Sequence, residues 1–156
     1  MSIDLAELYE DMIKDHSRRP RNFGEIEKPS HFAHGNNPLC GDQVTIFVET
    51  TGDKVSDVRF KGRGCALSMA AASLMTETIK GKSIAAIDQL FQAFRAIAMG
   101  TEAAPHPEEL DEDIERYACF KGVRKFPVRV KCATLPWHAL EAALKSGAVG
   151  ATVKTE

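Results

Sequence analysis

Three cysteines and one aspartate carry the clearest chemical potential in this sequence. Cys40 and Asp42 flank a single glycine immediately before a strand-like run. Cys65 follows 25 residues after Cys40, and Cys132 a further 67 residues along. Aspartate is a poor strand former, so its position beside a cysteine needs a reason other than propensity. Thiolates and carboxylates bind Zn²⁺, and thiolates also hold iron–sulfur clusters, so these residue types predict either a tetrahedral zinc site or a labile cluster.

Each cysteine, taken alone, also has a simpler interpretation. Four cysteines in a protein of a reducing compartment indicate metal binding, catalysis or burial rather than a disulfide framework. Cysteine is often a small buried hydrophobe, and Cys119, in the run ERYACF, fits that role on a helix. His31 and His34 form an HxxH pattern in a predicted loop, where we expect loop contacts rather than metal ligation. The metal hypothesis therefore depends on the other three cysteines and the aspartate acting together.

The composition is that of one globular domain. The chain has 156 residues, of which 44% are hydrophobic and 27% charged, enough to bury a core. We predict a single domain over residues 1–147 and a flexible tail over residues 148–156. The net charge of −2 gives no electrostatic footprint for nucleic acid. No stretch approaches the ~20 apolar residues of a membrane span, and the acidic N-terminus lacks signal-peptide features, so we predict a cytoplasmic protein without membrane or nucleic-acid partners.

Helices and a small sheet must position the chemically active residues. Apolar residues recur at helical spacing in several segments, and period-two alternation marks a hairpin. The main predicted helices cover residues 4–16, 66–80, 83–99 and 134–147, the hairpin strands cover 44–50 and 54–62, and a further strand covers 125–131. Residues 22–38, rich in glycine, proline and asparagine, are predicted as an irregular loop. This order predicts an α+β fold with a small, mainly antiparallel three-stranded sheet packed against helices.

Three of the cysteines share one local context. Cys40 stands at a turn entering the first hairpin strand, while Cys65 and Cys132 each follow a predicted strand and precede a predicted helix. Strand ends on one side of a small sheet can lie close together, whatever their separation in sequence. A helix N-terminus favours negative charge and lowers the pKa of a thiol, which favours the thiolate that binds metal or attacks sulfur. Cations that would offset the negative charge of such a site are Arg63, Arg129 and Lys131.

Longer motifs around these residues resemble those of the IscU/SufU family of iron–sulfur cluster assembly proteins. The segments NPLCGDQV, FKGRGCALSMAAASLM and FPVRVKCATLPWHAL are similar to the family's three cysteine motifs, and LYEDMIKDHSRRPRNFG resembles its N-terminal signature. Together they span residues 8 to about 145, nearly the whole chain. The resemblance implies the family's α+β sandwich. The metal ligands that it implies are Cys40, Asp42, Cys65 and Cys132.

Two features resemble the SufU branch of that family. Lys131 stands where scaffold-type IscU proteins have a histidine before the last cysteine, and a helix-sized segment is added within residues 83–119. The resemblance implies a zinc-dependent sulfurtransferase that accepts persulfide sulfur from a SufS-type cysteine desulfurase, with Cys132 as acceptor and Arg129 holding the site or the partner. Such a protein activates a desulfurase and serves downstream assembly proteins rather than acting as a stand-alone enzyme. The alternative is an IscU-type scaffold that assembles a [2Fe–2S] cluster on the same ligands.

Overall fold

A four-stranded sheet forms one layer of the protein. The computed structural model describes residues 5–145 and 151–154. The strands, in chain order, are β1 (His31–Asn37), β2 (Asp42–Thr51), β3 (Lys54–Arg63) and β4 (Ala151–Lys154). Their order across the sheet is β3-β2-β1-β4, with β1–β2 and β2–β3 antiparallel and β1–β4 parallel. The fold is α+β with a mixed sheet, which corrects the predicted three-stranded, mainly antiparallel sheet.

Helices form the second layer. In the described part of the chain they are α1 (Leu5–Arg18), α2 (Ala66–Ile79), α3 (Ile84–Met99), α4 (Asp111–Arg116) and α5 (Pro127–Lys145), with 3₁₀ segments at Glu108–Leu110 and Tyr117–Lys125. The predicted helix start at Ser83 is confirmed, because the Ser83 hydroxyl accepts the Ala86 N–H at 3.1 Å. Gly100 ends α3 in a left-handed conformation. None of the described helices combines the length and apolarity needed to span a membrane.

The core lies between the sheet and the helices α2 and α5. One face of β2 and β3 buries alternating apolar side chains such as Ile46, Val48 and Phe60. Helices α2 and α5 pack on the sheet and against each other, and α1 packs on α2. Helix α3 and the second 3₁₀ segment contribute to an aromatic cluster with α5 that consists of Phe91, Phe94, Tyr117, Phe120 and Trp137. This packing holds the ends of β2, α2 and α5 in fixed positions relative to one another.

Strand β1 lies in the segment predicted as an irregular loop, residues 22–38. Its inward positions, Ala33 and Gly35, are small, so they give no alternating apolar signal. A side chain at Gly35 would press on Leu135 and Val44 at 3.0 and 3.1 Å, so α5 and the neighbouring strand approach closely only because this residue is glycine. Strand β1 therefore forms because it pairs with β2 and contacts α5, and not because its residues have a high propensity for strand.

Residues 125–131, predicted as the last strand, instead lead into a helix. The second 3₁₀ segment ends at Lys125, and α5 begins at Pro127. Proline fits the first helical turn because an N–H group there has no helical partner to bond. The alternating valines of this segment resemble a strand pattern, but they lie within α5. The same helix also contains Pro136. Cys132 consequently lies in the second turn of a helix and does not directly follow a strand.

Strand β4 falls within residues 148–156, for which the sequence predicts a flexible tail. Residues 151–154 pair in parallel with β1, from Ala33 opposite Ala151 to Asn36 opposite Lys154. Val153 is half-buried and packs against the core. Residues 148–150, 155 and 156 lie outside the described part of the chain. The fourth strand of the sheet comes from this segment.

Candidate metal centre

The candidate metal centre forms where the β1–β2 turn, the start of α2 and the start of α5 meet. Cys40 lies in the turn, and Asp42 begins β2. Cys65 is the N-cap residue of α2, and Cys132 lies in the second turn of α5. The fold thus brings cysteines that are 92 positions apart into contact.

The turn between β1 and β2 is held by Asn37 and Gly41. The Cys40 N–H donates to the Asn37 carbonyl at 3.2 Å, and the Leu39 N–H donates to the Asn37 side-chain oxygen, also at 3.2 Å. Gly41 has a φ of 70°, a left-handed conformation that residues with side chains disfavour. Because the chain reverses at Gly41, the side chains of Cys40 and Asp42 reach the same space.

Three potential ligand atoms lie close enough together to bind one metal ion. The Sγ atoms of Cys40 and Cys132 and a carboxylate oxygen of Asp42 all lie within 4.8 Å of one another. The two sulfurs are 3.2 Å apart. A tetrahedral zinc ion with Zn–S bonds of about 2.3 Å separates its donors by about 3.8 Å, so these spacings fit one ion. The chemistry of the donors, sulfur with one oxygen, suits the same ion.

Cys65 adjoins this group through Asp42. The Cys65 N–H donates to Asp42 Oδ1 at 2.8 Å, and the Cys65 thiol lies 3.8 Å from Asp42 Oδ2. As the N-cap of α2, Cys65 lies at the positive end of the helix dipole. Gly64 permits this approach, because a Cβ atom there would collide with the Asp42 carboxylate and the Ser68 hydroxyl. The Cys65 sulfur therefore lies beside the three-residue group, although it is not among the ligand atoms that all lie within 4.8 Å of one another.

The four donors differ in exposure. Asp42 and Cys132 have no exposed surface, Cys65 is half-buried, and Cys40 is exposed. Burial, followed by the contacts with Cys40 and Asp42, raises the pKa of the Cys132 thiol. A bound divalent cation reverses this preference, because it coordinates the thiolate and neutralises part of its charge. A metal ion bound here would therefore hold Cys132 as a thiolate.

Arg129 and Lys131 flank the centre on α5. Arg129 is exposed on the first turn and lines an apolar groove between α1, α2 and the second 3₁₀ segment, whose wall includes Leu67 and Phe126. Lys131 is half-buried directly before Cys132. Arg129 is therefore exposed near the start of α5, three residues before Cys132.

Cys119 is separate from the centre. It is buried in the second 3₁₀ segment, where its thiol donates to the Arg116 carbonyl at 3.5 Å. Burial raises the pKa of Cys119 to about 12, so the thiol stays neutral at physiological pH. The predicted burial of this cysteine is confirmed, and its chemistry is that of a packed side chain.

Histidines on β1 and α5 lie outside the donor group. His31 and His34 lie on β1 rather than on the predicted loop. The His34 Nδ1 atom is 2.8 Å from the Thr45 hydroxyl, across the β1–β2 pair. In helix α5, the ring of His138 packs edge-on against the ring of Phe91, with 5.2 Å between the ring centroids. These contacts account for His34 and His138, whereas the Nδ1 atom of His31 is buried without a hydrogen-bond partner among the residues that the structure describes.

Asn37 belongs to the centre, although the sequence alone does not identify it. Its side chain is fully buried, and Nδ2 donates to Cys132 Sγ at 3.6 Å. The two residues are 95 positions apart, so no local spacing links them. The run of two asparagines before Pro38 is typical of a turn, and that signal places Asn37 in a predicted loop.

Comparison with known sequences places the chain among iron–sulfur assembly proteins. The family described as NifU-like N terminal domain matches residues 8–133. The chain is 42% identical over 139 residues to the zinc-dependent sulfurtransferase SufU of Bacillus subtilis, covering 88% of this chain and 90% of that protein. It is 38% identical to the iron–sulfur cluster assembly scaffold protein IscU of Streptococcus pyogenes, covering 92% of this chain and 87% of that protein.

A solved structure has the same fold. The crystal structure, from Fervidobacterium islandicum, is described as that of an iron–sulfur cluster assembly scaffold protein for the SUF system, and it superposes with a TM-score of 0.76. The sequences are 36% identical, and the match covers 91% of this chain and 100% of the other. A match of this extent includes both layers of the fold.

Proposed function

The chain belongs to the NifU-like N-terminal domain family, the IscU/SufU proteins of iron–sulfur cluster assembly, and from this premise we propose that it is a zinc-dependent sulfurtransferase. It accepts persulfide sulfur from a SufS-type cysteine desulfurase and passes that sulfur to downstream assembly proteins. Cys132 is the acceptor. The zinc ligands are Cys40, Asp42, Cys65 and Cys132.

The observation that carries this proposal is the convergence of Cys40, Asp42 and Cys132 within 4.8 Å. Cys65, whose sulfur lies 3.8 Å from Asp42 Oδ2, is the proposed fourth ligand, and the four residues together offer three sulfurs and one oxygen, a donor set that suits zinc. When bound, zinc keeps the thiols deprotonated at neutral pH. The 42% identity to a zinc-dependent sulfurtransferase, and Lys131 in place of a histidine, favour sulfur transfer over cluster assembly.

The Cys132 thiolate is the nucleophile of the transfer step. Its sulfur attacks the outer sulfur of a cysteine persulfide on the desulfurase. A new S–S bond forms at Cys132 while the S–S bond of the donor breaks, and the donor cysteine leaves as a thiolate. One thiolate is consumed and one is released, so charge and sulfur atoms balance. Cys132 then carries the persulfide, and its burial in the folded protein keeps the persulfide away from solvent thiols.

Transfer requires the centre to open, because Cys132 is buried. Its sulfur lies 3.2 Å from the sulfur of exposed Cys40, so a movement of the β1–β2 turn gives a donor persulfide access. We assign this opening to docking of the desulfurase. Arg129, exposed on the first turn of α5, supplies a cation for that contact.

A desulfurase assay paired with metal analysis tests the proposed function. Freshly purified protein is expected to contain stoichiometric zinc without visible absorbance and to accelerate a SufS-type desulfurase. Cys132→Ala is expected to abolish the acceleration, whereas Cys119→Ala, which alters a buried thiol outside the centre, retains it. Full acceleration by Cys132→Ala would exclude Cys132 as the acceptor.

A scaffold that assembles a [2Fe–2S] cluster is the second candidate. The 38% identity to a protein named as an IscU scaffold favours it, and thiolate donors hold clusters as well as zinc. Anaerobic reconstitution with iron and sulfide distinguishes the two candidates. A stable cluster that transfers to an apo-acceptor would establish the scaffold, whereas retained zinc and a mapped Cys132 persulfide would establish sulfur transfer.

A further inference from the structure

We propose that a cationic cleft between α3 and α5 is a docking site for an acidic segment of a partner protein, separate from the metal centre. Its walls come from α3, the second 3₁₀ segment and α5, and its volume is about 410 Å³. Three cations and three apolar residues line most of it: Arg95, Arg124, Lys131, Met99, Pro127 and Val130. Binding at this cleft does not depend on the sulfur transfer proposed above.

The cationic cleft concentrates positive charge in a protein that is acidic overall. The chain has a net charge of −2, yet no aspartate or glutamate is among the described residues that line this cleft. Arginine and lysine side chains keep their charge at neutral pH, so they repel one another across the cleft unless an anion lies between them. Carboxylates that enter the cleft relieve that repulsion, and charge complementarity attracts them to it.

Arg124 is held in place at the edge of the cleft. Its Nη2 atom donates to the Ile97 carbonyl at 2.7 Å, and its side chain crosses the end of α3 at Gly100, where an added Cβ would lie 3.2 Å from Arg124 Cδ. A helix C-terminus favours a cation, which gives Arg124 a structural role. A guanidinium has five N–H donors and this bond uses one of them. Arg124 is therefore fixed in position and can still bind a carboxylate.

The apolar residues favour a peptide over a small anion. Met99 is 46% exposed, Pro127 is exposed and Val130 is half-buried. Methionine and arginine are both enriched at protein–protein interfaces. An inorganic anion would contact the cations and leave the apolar wall uncovered, whereas a segment with both carboxylates and apolar side chains would cover both. The lining therefore matches an acidic segment that also carries residues such as leucine.

The cationic cleft and the metal centre lie on different faces of α5. Thr134 lines the cleft and follows Cys132 by two positions, which is about 200° around a helix. The Cys132 sulfur contacts Cys40 in the β1–β2 turn, whereas His138, one turn after Thr134, packs against Phe91 of α3. A segment bound in the cleft therefore leaves the metal centre accessible.

Fluorescence anisotropy of a short labelled peptide that alternates glutamate with leucine measures docking on the full-length protein. Arg95→Gln and Arg124→Gln are each expected to weaken binding roughly three- to tenfold, because each removes a charge-assisted hydrogen bond. Arg59→Gln removes the same charge from an exposed position on β3, so it is the matched control and should bind normally. Binding should also weaken as salt is added, since exposed charge pairs are screened.

Two further controls establish the fold of the variants and the chemistry that the cleft recognises. Arg124→Gln also removes the bond to the Ile97 carbonyl, so Arg95→Gln, at an exposed position on α3, provides the test if thermal unfolding shows Arg124→Gln to be unstable. A second peptide has glutamine in place of every glutamate and is expected not to bind. Inorganic phosphate is expected to displace the acidic peptide only as well as sodium chloride of equal ionic strength does.

Equal binding of the two peptides, or equal affinity in Arg95→Gln and Arg59→Gln, would overturn the proposal. Displacement by phosphate at much lower ionic strength than sodium chloride would assign the cleft to a small anion and would also overturn it. Arg95→Gln should accelerate the desulfurase as the unaltered protein does, and a loss would show that the cleft is part of the desulfurase contact rather than a separate site. If the unaltered protein accelerates no desulfurase, the proposed function fails, while the peptide measurement still decides whether the cleft binds an acidic segment.

Discussion

Asp42 is a fully buried carboxylate whose position calls for a cation. Its Oδ1 atom accepts the Cys65 N–H at 2.8 Å, which satisfies one oxygen. Burying a charged carboxylate without a charged partner is costly, so a zinc ion bound beside Asp42 would be strongly stabilised by it. We expect Asp42→Ala to weaken zinc binding in a chelator titration by more than the roughly 10- to 100-fold that loss of an outer-shell contact costs.

The control for this substitution is Asp57→Ala. Asp57 lies on β3 and pairs with Arg59 and Lys80, so its loss removes a carboxylate without touching the centre. Zinc affinity in Asp57→Ala is expected to match that of the unaltered protein. If Asp42→Ala also retains full affinity, the carboxylate is not a ligand.

His16 makes the stability of the fold depend on pH. Its ring is buried, with Nδ1 2.8 Å from the Ser73 hydroxyl. Burial, and then the charge of Arg21, lowers the pKa of His16 below its ordinary value of 6.5. Because the folded pKa lies below the unfolded one, the contribution of neutral His16 is complete above pH 6.5 and is lost as the pH falls from there toward the folded pKa.

Thermal unfolding from about pH 8 to about pH 5 measures this dependence. His16→Gln is expected to flatten the fall in Tm on the acid side, whereas His34→Gln, at an exposed position on β1, leaves the profile unchanged. Some slope persists in His16→Gln because burial also lowers the pKa of His138. An identical slope in His16→Gln and the unaltered protein would mean that His16 does not control acid stability.

At the scale of elements, the junction between β3 and α2 controls the centre. A Cβ atom at Gly64 would collide with the Asp42 carboxylate and the Ser68 hydroxyl, so Gly64→Ala must displace one of them. We expect Gly64→Ala to weaken zinc binding at least about tenfold in chelator competition, because it moves a ligand. Gly122→Ala, where a Cβ would meet no atom within 4 Å, is the control and should bind zinc normally. Equal affinity in both variants would show that the junction adapts.

Caps were more predictable from the sequence than strands. Ser83 caps the start of α3 with its side chain, and Gly100 ends the helix with its left-handed backbone. Both signals depend on the residue itself, so they can be recognised in the local sequence. Strand β1 depends on close contact with α5 at Gly35, and a tertiary contact of this kind cannot be read from the local sequence pattern. The same limit applies to the centre. The resemblance of the cysteine motifs implies four donors, but Asn37 becomes visible only when α5 folds over β1.

At the scale of the whole molecule, the centre connects segments from both halves of the chain. The β1–β2 turn, the N-cap of α2 and the second turn of α5 meet there, while α5 also packs on β1, β2 and α2. A metal that binds this arrangement does not find it in the unfolded chain, so its binding energy is folding energy. Metal content should therefore set the stability of the whole domain and not only that of a loop.

We expect chelation of zinc to lower the Tm of the entire domain in a single transition. Stabilisation by a ligand at one hundred times its Kd is about 2.7 kcal/mol, which corresponds to roughly 5–10 °C for a chain of this size. Calorimetry before chelation, after it and after zinc is restored measures the shift. The Tm of Cys119→Ala should fall on chelation and recover with zinc by the same amount as that of the unaltered protein. Cys132→Ala, with one ligand fewer, should show a smaller change in Tm. A Tm that does not respond to zinc, in a protein shown to bind it, would mean that the metal binds the unfolded chain equally well and that the centre does not hold the three elements together.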